Sequence, residues 1–192
     1  MLTVFSADLV EFLIQHWNRI TNGDGRMFRP RHPYIIDIEA SGLGARSYPI
    51  EVGLALEPGR RYCTLIRPVD HWDHWDEQAE SIHRISRQNL LTAGQPVTEV
   101  AARLNDLLRN RVVFSDAWGV DTPWIIELYA AAGIDKTFTI SSLEMILSEQ
   151  QMEVWAKTRD SVVLDLGLRR HRASNDAWII QETFVRTLAM SS

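Results

Sequence analysis

Asp37 and Glu39 stand two residues apart in YIIDIEA, an otherwise apolar run, and the alternation of side chains along a strand puts both carboxylates on one face. Two like charges held together resist desolvation unless something compensates them, and a divalent cation is the simplest compensation. An exposed strand end is the plain alternative. Asp121, a few residues after the apolar run VVFSD and beside the helical segment TPWIIELYAAAG, is a second acid of interest, although an acid there also complements a helix N-terminus. Asp116 competes with it, and one of the two is expected to be structural. His171 and Asp176 in HRASNDAW are the third group, where Ser174 and Asp176 could equally be ordinary helix-start residues. Each group has an ordinary structural use, and only their combination points beyond it.

The elements that must position these residues follow from periodicity. IEVGLAL and, after the Pro58-Gly59 turn, RRYCTLIRP have strand composition, so with YIIDIEA they predict an antiparallel meander. Val97, Val100, Ala101, Leu104, Leu107 and Leu108 recur at helical spacing and VVFSD follows as a buried strand. TPWIIELYAAAG predicts a helix stopped by Gly133, and TFTIS a fifth strand. LEMILSEQ and residues 153–168 read as helical, and NDAWIIQETFVRTL as a terminal helix capped by Ser174. Three strands followed by alternating helix and strand describe an α/β domain with a mixed five-stranded sheet and helices on both faces.

Residues 1–32 are expected to form an N-terminal helix, with Leu9, Phe12, Leu13 and Trp17 on its apolar side, and a connector rich in Gly, Pro and basic residues. The apolar side of that helix could serve a homodimer or partner contact, or cover this chain's own sheet. The folded domain is expected over 33–192. Asp8 and Glu11 interrupt the first apolar residues and no basic leader precedes them, which predicts neither a signal peptide nor a membrane span. Cys63 is the only cysteine, so no disulfide can form within the chain and a reducing, cytoplasmic setting is expected. A net charge of −5 argues against coating long nucleic acid through a broad basic face. It does not exclude a metal-using nuclease, because two divalent cations would take −5 to −1 and set the local field themselves.

Taken together, the motifs resemble the DEDD exonuclease superfamily, in the subgroup whose last motif carries a histidine. YIIDIEASGL is similar to the first motif, Asp-x-Glu followed by a small residue, Thr or Ser, and Gly; SYPIEVGLAL is similar to the strand that follows it. IHRISRQNLLTAGQPVTEVAARLNDLL resembles the segment around "IHGIT", and HRASNDAW the third motif in its form "HRALDDA". The likeness runs from about residue 33 to 190 in the family's order. One departure stands out: where the second motif reads His-Asn and then Phe-Asp, this chain has SDAWGVDTPWI, with Ser115 and Asp116 in place of His and Asn. Asp121 takes the acid's role because Trp124 and Ile125 follow it as the family's apolar pair does.

The resemblance implies a ribonuclease H-like fold and a 3′-5′ exonuclease acting on the 3′ end of DNA or RNA. Asp37, Glu39, Asp121 and Asp176 would hold two Mg²⁺ or Mn²⁺ ions about 4 Å apart, with His171 as general base on the attacking water and a nucleoside monophosphate as product. The backbone around Ala40 and Ser41 would meet the terminal 3′-hydroxyl, and Leu43 would wedge against the terminal base. Trp72 and Trp75, between His71, His74 and several acids, could stack on bases, but local packing is the commoner use of such aromatics. Two other functions fit the same residues: a nucleic-acid-binding module that has lost turnover, and a metal-dependent phosphohydrolase of small nucleotides.

Overall fold

The computed structural model describes residues 30–191, so the expected N-terminal helix lies outside the described residues. The sheet lies in the unit Arg31–Ser192. Its strands are β1 (Ile35–Ala40), β2 (Pro49–Ala55), β3 (Arg61–Leu65), β4 (Val112–Ser115) and β5 (Thr139–Ser142), in the spatial order β3-β2-β1-β4-β5. β1, β2 and β3 pair antiparallel, as the meander reading expects, while β4 and β5 join in parallel on the other side of β1. A parallel return needs a crossover. It is made by α1 (Glu77–His83), α2 (Arg87–Ala93) and α3 (Val97–Leu108).

Side-chain alternation divides the sheet's two faces. Ile36, Ile38, Val52 and Leu54 turn toward α3 and α4 (Trp118–Ala132), whose Leu104, Leu108 and Ile125 complete the larger core. Ile35, Ala55 and Phe114 turn the other way, onto Ile180 and Phe184 of α6 (Ala173–Met190), with α5 (Glu149–Leu166) packed outside it. Each fully buried aliphatic or aromatic side chain of this kind contributes roughly 1.5–3 kcal/mol. Asp37 and Glu39 share the parity of Ile35, so β1 presents both acids on the α6 face.

Three boundaries differ from the sequence reading. α4 begins at Trp118, a turn before the expected TPWIIELYAAAG, so Pro123 lies within the helix and Asp121 in its first turn; Gly133, at φ 65°, ends it as expected. LEMILSEQ is not one helical piece. Leu143–Ile146 form a 3₁₀ turn, Leu147 is extended, and Ser148 caps α5 through a reciprocal bond pair with Gln151. Ser174 is not the cap of the last helix either: Arg172 occupies that position and Ser174 sits inside α6, because Arg172 is held from outside by the sheet.

Candidate active site

β1 delivers Asp37 and Glu39 into a cleft of about 300 Å³ whose walls also include Asp116, Asp121, His171 and Asp176. Asp121 comes from the first turn of α4 and is only 2 % exposed. Ser115, at the end of β4, donates its hydroxyl proton to Asp121 Oδ2 at 2.5 Å and accepts the Ala117 N–H at 3.0 Å. Ser115 thus orients the acid from the neighbouring segment.

The carboxylates work against one another. Burial, then Asp121 and Glu39, hold the Asp37 carboxyl well above the usual carboxylate range. Burial, followed by Asp176 and Glu51, pushes Glu39 up to about 8. Burial likewise raises Asp121 to about 7, although the Ser115 hydroxyl and the Ile38 backbone oppose the shift. Repulsion of this kind is what divalent cations relieve, and a set of carboxylate oxygens suits hard ions. Ligand atoms of Glu39, His171 and Asp176 all lie within 4.8 Å of one another, a spacing that fits one such ion.

The third segment is built on the start of α6. Asp176 is 6 % exposed, and its Oδ2 accepts the backbone N–H of His171 at 2.5 Å and of Arg172 at 3.3 Å, while Arg170 donates to Oδ1. His171 adopts a left-handed φ of 62°, a conformation uncommon outside glycine and held here by the bond to Asp176. α6 reaches the sheet through β2. Glu51, 0 % exposed and directly across from Glu39, accepts Arg172 Nε on both oxygens at 3.1 Å and the Ala173 N–H at 2.8 Å. Two residues on, Gly53 lies so close to the helix that a Cβ there would stand 2.1 Å from backbone atoms of Ala173 and Ser174. Only glycine permits this approach.

Several residues in the cleft and behind it carry little signal in the sequence. Asp116, expected to be structural if Asp121 served the site, lines it as well; burial raises its carboxyl against the pull of Arg159 and Arg170. Arg159, from α5, and Arg170 bring positive charge to the same walls. Nothing in the spacing of α5 could announce Arg159, since only the packing of α5 on α6 brings it here. Glu51 looked like one more strand residue, and its signal was the cost of a carboxylate in a strand that is otherwise wholly apolar.

The turn after β1 departs from the cleft. Ser41 is 1 % exposed, donates its N–H to the Tyr48 carbonyl at 2.9 Å and accepts the Asp76 N–H at 2.9 Å, so its polar backbone holds the loop. Ala40 is buried beside it, whereas Leu43 stands 77 % exposed at the tip. Trp72 is buried and stacked on Tyr48 with ring centroids 5.1 Å apart, and Trp75 bonds Glu80 through Nε1 at 2.6 Å; both are local packing. No helix among the described residues is long and apolar enough to cross a membrane.

No protein-family model matches the chain, and no curated protein does. Solved structures do. Escherichia coli exonuclease I in complex with a dA16 oligonucleotide superposes with a TM-score of 0.60 at 13% identity, over 80% of this chain and 40% of that one. The zinc-bound form of the E. coli exonuclease I complex with single-stranded DNA gives 0.58 at 15% identity over the same shares. This chain therefore spans about 40% of the length of those proteins. At such identity the likeness is one of architecture, and the mixed five-stranded sheet with its helices has the ribonuclease H-like fold of exonuclease I.

Proposed function

We propose that this chain is a divalent-metal-dependent 3′-5′ exonuclease of the DEDD superfamily, of the subgroup that uses a histidine. The observation that carries the reading is the convergence of Asp37, Glu39, Asp121, His171 and Asp176, spread over 140 residues of sequence, on one cleft. Asp37, Glu39, Asp121 and Asp176 would hold two Mg²⁺ or Mn²⁺ ions. When bound, such ions stabilise the charge that develops on attacking and leaving oxygens in phosphodiester hydrolysis.

The remaining work falls to the protein. An imidazole nitrogen of His171 takes the proton of the attacking water, and the backbone bond from His171 to Asp176 fixes the base beside a ligating acid. The terminal nucleoside would extend beyond the cleft along the turn after β1, where the backbone around Ala40 and Ser41 would meet the 3′-hydroxyl and the exposed Leu43 would wedge against the terminal base. The scissile phosphate stays with the nucleoside that leaves, so the product is a nucleoside monophosphate.

Incubation of 3′-labelled and 5′-labelled single strands of DNA and RNA with Mg²⁺ or Mn²⁺ tests this. Label leaves the 3′-labelled strand first, while the 5′-labelled strand shortens stepwise. No cleavage of either strand, or hydrolysis of free nucleotides alone, would contradict the proposal.

A further inference from the structure

Among the described residues, Arg159 is the one arginine lining the cleft whose Nε–H lacks an acceptor. It projects from the middle of α5, and its Nε is shielded from solvent without a hydrogen-bond partner. Arg170, on the same walls, is committed to Asp176, and Arg172 just outside them to Glu51. Asp116 feels the charge of Arg159, yet does not accept from that Nε. A buried cationic N–H with no acceptor is unfavourable unless an acceptor arrives.

The charge balance says what kind of acceptor. Asp37, Glu39, Asp116, Asp121 and Asp176 line the cleft with five carboxylates, against the two guanidinium groups of Arg159 and Arg170. Two divalent cations add four positive charges, so five negative charges meet six positive ones and the loaded cleft favours an anion. A planar guanidinium with a parallel pair of donors matches phosphate oxygens better than any other side chain.

We propose that Arg159 binds the phosphate of the nucleotide in the cleft: the scissile phosphodiester before cleavage and the 5′-phosphate of the released mononucleotide after it. The inference rests on reading the cleft as a phosphodiester-cleaving site. It adds a binding residue on α5, outside the segments that carry the acids and the histidine.

The test compares binding of AMP and dAMP with binding of the corresponding nucleosides, by calorimetry on the full chain with Mn²⁺, beside KM on a 3′-labelled strand. Wild type is expected to prefer the monophosphates by tenfold or more, and Arg159→Gln to lose that preference and raise KM by about tenfold to a hundredfold while nucleoside binding stays put. Arg159→Lys keeps the charge and loses the paired donors; it should weaken monophosphate binding several-fold, and it carries the test should the glutamine variant fail to fold. Asp116→Asn should retain the preference, which separates phosphate binding from mere neutralisation of Asp116. A wild type with no monophosphate preference, or one unchanged in both Arg159 variants, overturns the proposal. If wild type cleaves no strand yet binds monophosphates through Arg159, the exonuclease reading fails with the scissile-phosphate role, and the mononucleotide contact of Arg159 stands.

Discussion

Arg172 rests its guanidinium on the buried Glu51 carboxylate, a contact between residues 121 positions apart that fastens the start of α6 to β2 directly across from Glu39. The pair links the third acidic segment to the first. Removing Arg172 alone leaves a carboxylate buried without its cation, so Arg172→Ala is expected to cost about 3 kcal/mol, the low end for buried pairs because the guanidinium partly reaches solvent. Replacing both partners with methionine should cost less than either single change while still weakening Mn²⁺ binding. Urea denaturation and calorimetry check this, and a double variant less stable than both singles would contradict it.

Gly53→Ala forces α6 away from the sheet, since the new Cβ meets helix backbone at 2.1 Å rather than a flexible side chain. Overpacking of this kind costs about 1–3 kcal/mol. The larger effect is expected on turnover: a shift on the order of 1 Å in His171 and Asp176 lowers kcat by about a hundredfold. Full activity in a folded Gly53→Ala protein would show that the helix start does not position the site.

The raised carboxyls fix the pH dependence of the metal-free protein. Glu39 ionises in the unfolded chain near 4.5 but in the folded chain only near 8, so between these values the folded state binds the extra proton. The contribution of Glu39 to stability is therefore full below about pH 4.5 and is lost as pH rises through about 8. Melting temperature in chelator should drop over this range, Glu39→Gln should flatten the drop, and Mn²⁺ should stabilise more at the alkaline end. A melting temperature in chelator that climbs with pH would be inconsistent with crowded carboxylates.

Much of this arrangement is legible in the sequence. The five strands, α3 and the Gly133 stop follow from two periodicities that burial enforces, and the acids of β1 follow from strand alternation. What escaped depends on tertiary contact. α1 and α2 are seven residues each with few buried side chains, too short for a periodic stripe to register. Arg172 displaces Ser174 as the helix boundary because Glu51 holds it, and Arg159 enters the cleft only through the packing of α5 on α6. Asp116 and Asp121 could not be ranked from spacing because the fold brings both to the same walls.

Leu43, at the tip of the turn and 77 % exposed, contributes little to the core. Leu43→Ala should change stability by no more than about 0.5 kcal/mol. Loss of a wedge against the terminal base should instead raise KM for a strand's 3′ end several-fold, measured by steady-state release of the terminal nucleotide. An unaltered KM would remove Leu43 from the binding surface.

The proposed activity requires the four carboxylates to hold a pair of divalent cations. Calorimetric titration of the metal-free protein with Mn²⁺ measures this directly. Two ions per chain are predicted for wild type, with Asp37→Ala losing at least one while its circular dichroism spectrum stays native. No binding by wild type, or identical titrations for the two proteins, would contradict it.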